Sequence, residues 1–319
     1  MADHPQRGER RTLKDQTAAA INRVRRYSKE LPNALKHTRK TVSKHPTMPL
    51  EMDPTLATAP LAAAWLGHAT ILLRLGDKWI ITDPVMSHRI GLPVGPVTIG
   101  LGRLLPAISL ETLPALDLVL LSHAHFDHLD KPTLRRIANK DTHVVTAAGT
   151  GKLIPRGFGQ VDELHWGKET TAAGLSLRAL RPRHWGARVT VDKHRGYNSY
   201  VIDSPDRRVL YAGDTALSDC FAPLAADPKP TDLAIFGIGA YNPWEHAHAT
   251  PEQVWTMFNQ SGAKRLMPMH HSTFKLGEEP HDEPMNRLVA AAGNRASLIV
   301  ADILGRVWGE GVPNSKEAK

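Results

Sequence analysis

The stretch Ser122-His123-Ala124-His125-Phe126-Asp127-His128-Leu129-Asp130 places three imidazoles and a carboxylate within the six residues 123 to 128, directly after an apolar run. Residues 116 to 121 are apolar except for Asp117 and read as a buried strand, so the donors fall where a rigid strand gives way to a loop. Imidazole nitrogen combined with carboxylate oxygen suits zinc, manganese or iron better than calcium or magnesium. A loop that is merely rich in histidine is the competing reading, and four donors at this spacing weigh against it. Further ligands are expected at other strand ends. His184 follows the strand expected at 175–180, Asp214 follows the one ending at Ala212, and His270 ends the run Met267-Pro268-Met269-His270.

The rest of the chain bounds what such a site can serve. Its 319 residues, 41% hydrophobic with 24 Gly and 24 Pro, describe a turn-rich globular protein with a sizeable core. The single cysteine, Cys220, excludes an internal disulfide and reads as an ordinary packed thiol. The net charge of +8 sits at one end: residues 1–50 hold 12 Lys or Arg against 4 Asp or Glu, which leaves 51–319 neutral. A basic leader on a neutral body points to a tail that touches an anionic surface, with a solvated arm as the plainer reading. Arg10-Arg11 has the look of an export signal, but residues 15–29 carry Asp15, Arg23, Arg25 and Arg26 where an apolar core is required. With no apolar run of about 18 residues to span a membrane, the expected location is cytoplasmic, peripheral to the inner membrane surface.

Strands are expected at 61–66, 69–75 and 79–82, with a turn at Gly76-Asp77-Lys78. Residues 84–114 read as a long loop, unusually apolar, for which a lid, a membrane-facing lip, a subunit contact or simple packing are the options. Asp130 is placed to cap a helix reaching about Asn139. Strands at 143–146, 175–180, 199–203, 208–212 and 232–238 follow. Thr250-Pro251-Glu252-Gln253 opens a second helix with a capping box, and a strand at 265–269 delivers His270. A helix at 284–292 and a strand at 297–303 close the chain. Strands then helix, twice over, fit two sheets face to face with helices outside. Gly149-Thr150-Gly151-Lys152 fails as a phosphate loop, because Thr146 stands at the first glycine position and Leu153 follows the lysine.

The SHAHFDHLD run resembles the metallo-beta-lactamase superfamily. Within it, GHAT at 67–70, TDP at 82–84, RHW at 183–185, AGDT at 212–215, IGAY at 238–241 and MHHSTF at 269–274 are similar to the branch that includes N-acyl-phosphatidylethanolamine-hydrolysing phospholipase D. The resemblance covers about residues 60 to 305. It implies an α/β fold, an αββα sandwich of two mixed sheets with helices on the outer faces, and a site for two divalent metal ions, zinc first, with manganese or iron as alternatives. By position, His123, His125 and His184 would hold one ion, Asp127, His128 and His270 the other, and Asp214 would bridge. His248 corresponds to a histidine near the catalytic centre, as proton donor or phosphate contact; a solvent-facing loop histidine is the plain alternative. Asp83 is expected to orient a ligand imidazole. His68 is expected to line the site or serve the turn, and His271 to form pocket wall where the phospholipase has tryptophan. The chain then divides into a basic leader (1–50, partly disordered or helical), a hydrolase domain (51–310) and a polar tail (311–319).

The resemblance implies a hydrolase with Asp127 and His248 among its catalytic residues. The favoured reaction is phosphodiester cleavage of N-acyl-phosphatidylethanolamine or a related phospholipid, by a hydroxide shared between the metals. A lactonase or other carbonyl hydrolase uses the same donors. A membrane or nucleic-acid binding protein working through residues 1–50 is the reading from another class; the neutral body speaks against a specific nucleic-acid partner. The expected partners are a small-molecule or lipid substrate and a membrane surface, and a homo-oligomer is compatible with the sequence.

Overall fold

The computed structural model describes residues 47–52, 57–94, 97–189, 192–300 and 303–310. The leader up to residue 46 and the tail from 311 lie outside the described residues. In chain order the elements are β1 (Thr47–Met48), β2 (Leu61–Trp65), β3 (Ile71–Leu75), β4 (Lys78–Thr82), β5 (Arg89–Val94), β6 (Val97–Gly102), β7 (Ala107–Ile108), β8 (Leu118–Leu121), α1 (Lys131–Ile137), β9 (His143–Ala147) and β10 (Gln160–Leu164). There follow β11 (Glu169–Ala172), β12 (Leu175–Leu180), β13 (Ser199–Asp203), β14 (Arg208–Tyr211), β15 (Leu233–Gly237), α2 (Pro251–Gln260), β16 (Arg265–Met269), α3 (Glu283–Ala292) and β17 (Val307–Gly309).

Two sheets dominate, one ordered β10-β9-β8-β4-β3-β2-β17 and the other β11-β12-β13-β14-β15-β16. Period-two alternation builds the layers. In β8, Leu118 and Leu120 face the opposite sheet, while Val119 and Leu121 face outward onto Leu134 of α1. In β15, Leu233 and Ile235 point inward, and Ala234 and Phe236 pack against Val254 and Phe258 of α2 and Leu288 of α3. Strands covered on both faces lose their polar alternation, which is why β8 reads as a continuous apolar run. Each fully buried Leu or Phe contributes about 1.5–3 kcal/mol. The result is the αββα sandwich.

Several elements depart from expectation. The stretch 84–114 is not a loop: β5 and β6 form an antiparallel hairpin in which Gly91 faces Gly100. A Cβ on either glycine would collide with the carbonyl of Ile99 or Ile90 across the pair, so the glycines that suggested a loop are what let these strands approach. Among the described residues the last strand is β17, paired with β2, rather than a strand at 297–303; residues 293–298 form a 3-10 helix, and 301–302 lie outside the described residues. β10 and β11 had no expected counterpart. Both are edge strands with largely exposed polar side chains, so the apolar signal is missing. Asp130 stands at the N-cap of α1 without capping it, since its carboxylate accepts from the Thr133 hydroxyl and from Ser87 N. The capping box at Thr250 and Gln253 forms as expected. β1 pairs with β7, so strand pairing reaches back to Thr47, ahead of residue 51.

Candidate metal centre

β4 and β8 are parallel neighbours, and so are β14, β15 and β16; β12 lies two antiparallel steps from β14 and runs the same way. Their carboxyl ends therefore share an edge, and the residues just beyond them converge. The turn between β2 and β3 adds His68. Three of these residues have left-handed backbone: His68 (φ 54°), Asp83 (φ 35°) and His270 (φ 61°). Non-glycine residues held there cost on the order of 1–3 kcal/mol each, a strain typical of functional sites. Gly213, also left-handed, allows the approach of Asp214: a Cβ there would lie 2.9 Å from Ser122 Cβ.

Two groups of donors form. In the first are His123, His125, His184 and Asp214, with His125 Nδ1 2.7 Å from His123 Nε2 and 3.4 Å from His184 Nε2. In the second are Asp127, His128 and His270 together with His68. Asp214 Oδ2 touches both, lying 3.8 Å from His123, 3.6 Å from His184, 3.0 Å from His128 and 3.3 Å from His270, each at Nε2. The seven expected ligand positions thus lie together, with Asp214 between the two groups.

A divalent cation fits this donor set. His128 Nε2, both oxygens of Asp214 and both ring nitrogens of His270 are buried and make no hydrogen bond. Orphaned buried polar atoms cost about 1–3 kcal/mol each, so several in one place require a partner. Electrostatics agrees. Burial holds the His123 and His184 imidazoles well below their usual range and His125 at about 4, so they are neutral, ligand-ready bases. Burial also disfavours charge on Asp127 and Asp214, but the surrounding imidazoles, His128 foremost, hold both carboxyls well below the usual range. Conversely, burial opposes a charge on His128 and His270, yet Asp214 and Asp127 outweigh it, lifting His128 well above normal and His270 to about 9.

The ring orientations are fixed from behind. His128 Nδ1 donates to Asp83 Oδ2 at 2.6 Å, and the Tyr211 hydroxyl, crossing from the other sheet, donates to the same oxygen at 2.6 Å. Asp83 Oδ1 accepts from Ser122 N at 2.7 Å; the Ser122 hydroxyl donates to Asp83 and lies 2.8 Å from His123 Nδ1. His184 Nδ1 donates to Ala247 O at 3.0 Å. In each case the Nδ1 contact leaves Nε2 free to face the centre, the usual support for ligating histidines.

His248 turns toward the centre, with its side chain 13% exposed. Its ring lies over His270 with centroids 5.1 Å apart, Nδ1 is 3.9 Å from Asp214 Oδ2, and burial lowers its pKa to about 4. His246, two residues earlier, is exposed. His271 joins neither donor group; it is buried and stacks on Trp65 at 4.5 Å, so it packs into the core rather than forming the expected pocket wall. Arg188 was missed. It donates to Ala124 O and Leu129 O, both at 2.9 Å, and lies 4.0 Å over the Phe126 ring, clamping the histidine loop from outside. Nothing in its spacing distinguishes it from other loop arginines. Trp185 stacks on His184 and is 42% exposed, forming part of the rim.

A four-layer αββα sandwich with histidine and aspartate donors gathered on one edge is the metallo-beta-lactamase fold. The chain belongs to this superfamily: the family model described as the beta-lactamase superfamily domain matches residues 78–271. An uncharacterized protein of Mycobacterium tuberculosis is 33% identical over 252 residues, covering 73% of this chain and 64% of that protein, so the match spans slightly under two thirds of the relative. The N-acyl-phosphatidylethanolamine-hydrolyzing phospholipase D 1 of Caenorhabditis elegans is 29% identical over 272 residues, covering 78% of this chain and 75% of the relative. The solved structure of Igni18, a metallo hydrolase from Ignicoccus hospitalis, superposes with a TM-score of 0.58 at 19% identity, over 79% of this chain and 99% of that one. At that identity the likeness concerns the fold. Among the described residues no helix is long and apolar enough to cross a membrane.

Proposed function

We propose that the protein is a metal-dependent hydrolase with two divalent ions, acting as a phosphodiesterase of the phospholipase D type on N-acyl-phosphatidylethanolamine or a related phospholipid. The observation that carries the hydrolase reading is Asp214 Oδ2 in contact with both donor groups, an arrangement suited to two ions sharing one carboxylate. His123, His125 and His184 would hold one ion and Asp127, His128 and His270 the other, with Asp214 common to both. Two such ions supply an activated water and Lewis-acid neutralisation of the charge that builds on the reacting centre.

The protein's own groups do the rest. Asp83 and Ser122 keep the lone pairs of His128 and His123 directed at the centre. His248, neutral and partly exposed beside Asp214, is placed to hydrogen-bond a phosphate oxygen of the substrate. The choice of phospholipid is supported by the ordered motifs shared with the phospholipase branch, by the relative so named in Caenorhabditis elegans, and by the β5–β6 hairpin. That hairpin exposes Leu92 and Val94, while Ile90 at its base packs with Phe274 and with Phe126 of the histidine loop. An apolar lip beside the site suits peripheral contact with a lipid surface, to which the basic leader would be drawn. Release of phosphatidic acid from N-acyl-phosphatidylethanolamine by metal-loaded protein, with a lactone panel in parallel, is the test. Turnover of lactones without any phospholipid would replace the phosphodiesterase by a carbonyl hydrolase.

A further inference from the structure

His68 stands outside the expected division of ligands, His123, His125 and His184 for one ion and Asp127, His128 and His270 for the other. Its ring lies inside the second donor group, with Nε2 3.0 Å from Asp127 Oδ2 and the ring centroid 4.1 Å from that of His270. Around the same carboxylate oxygen, His270 Nε2 lies at 3.4 Å and His128 Nε2 at 3.6 Å. Two ligands about 2.0–2.1 Å from one ion, at angles of about 90–110°, are about 2.9–3.4 Å apart. The three imidazole nitrogens thus stand off Asp127 at close to the separation of donors that share one ion. A side chain that only oriented Asp127 would approach the carboxylate oxygen turned away from the other donors; His68 approaches the oxygen that faces them.

The backbone of His68 is built to hold it there. His68 N donates to Thr273 Oγ1 at 2.6 Å, and its carbonyl accepts from Trp65 Nε1 at 2.8 Å and from His270 N at 2.9 Å. It is thereby tied to the very strand end that presents His270. The left-handed φ of 54°, buried position and triple anchoring are far more than a β-turn between two antiparallel strands requires. The ring's other nitrogen, Nδ1, is buried and makes no hydrogen bond.

We infer that His68 is a fourth protein ligand of the second metal ion, beside Asp127, His128 and His270. The inference rests on the two-metal reading above. A second ion with four protein donors besides the shared Asp214 would be closed and strongly held, leaving the first ion, with three histidines and Asp214, the more open position for substrate.

The test compares wild type with His68→Gly, chosen because glycine accepts the left-handed backbone and leaves a ring-sized gap. Folding is checked by circular dichroism. Metal-free protein is titrated with Co2+ against a chromophoric chelator, and the visible ligand-field spectrum is recorded at each equivalent. The expected result is two Co2+ per wild-type chain. In the variant one equivalent should be weakened at least tenfold with a changed ligand-field band, and both should be restored by added imidazole. An unchanged band in the variant, with or without weaker binding, would overturn the ligand assignment. Failure of folded wild type to take up Co2+ at all would instead overturn the two-metal reading, and the inference with it.

Discussion

Asp83→Asn keeps the shape of a buried residue and changes only what its oxygens can do. Four donors meet on this carboxylate: Ser122 N, the Ser122 hydroxyl, the Tyr211 hydroxyl and His128 Nδ1. An asparagine that keeps its oxygen toward Ser122 N must turn its NH2 toward the other three. The Tyr211 hydroxyl can swing to Ala69 O, already 3.1 Å away. His128 has no such exit. To meet an NH2 it must accept at Nδ1, which moves its proton to Nε2 and blocks the lone pair facing Asp214. One charge-assisted bond is lost and another weakened, about 2–4 kcal/mol in total, seen as a lower urea midpoint at unchanged slope for the metal-free protein. For metal the expected loss is about 10–100-fold at the position His128 serves. The position His123 serves should lose less, because the Ser122 hydroxyl can still accept from its Nδ1. Competition titration with zinc and a chromophoric chelator separates the two. Equal, wild-type affinities at both positions would refute the role given to Asp83.

Other consequences are open to measurement. Arg188→Ala removes two bonds to the carbonyls that flank the histidine loop and a cation stacked on Phe126, and should lower stability by roughly 1–3 kcal/mol; Arg188→Lys should recover only part, and thermal unfolding of the pair reads the difference. Metal uptake by metal-free protein at pH 7.5 should release protons, because His270 is held at about 9 and must be neutral to ligate. Affinity should therefore climb with pH and flatten above about 9, and calorimetry in two buffers of different ionisation enthalpy counts the protons; affinity independent of pH between 6.5 and 9 would contradict the charge assignment. Thr250→Ala removes the side-chain half of the capping box on α2 and should cost about 0.5–2 kcal/mol in chemical denaturation, leaving metal stoichiometry unchanged.

Legibility in the sequence followed the physics of each signal. β8 announces itself because both its faces are buried, and His123 to His128 because ligand spacing needs no tertiary information. His184, Asp214 and His270 could be found as polar residues ending apolar strands. His68 could not be ranked from sequence, since a histidine in a tight turn carries no periodic signal and its role depends on Thr273 and His270, some two hundred residues away. Arg188 was invisible for the same reason: its partners are backbone carbonyls, which every residue has. The hairpin of β5 and β6 was hidden by Gly91 and Gly100, whose loop-like character is a requirement of close strand approach. His271 was misplaced because the residue after His270 falls on the other side of the strand end, against Trp65.

The two-ion hydrolase is tested most directly by elemental analysis of purified protein coupled to hydrolysis assays on phospholipid and lactone substrates, in wild type and Asp127→Ala. About two divalent ions per chain and measurable turnover are predicted for wild type, and loss of most of one ion with nearly all activity for the variant. Full activity in Asp127→Ala, or turnover by wild type stripped of metal, would contradict it.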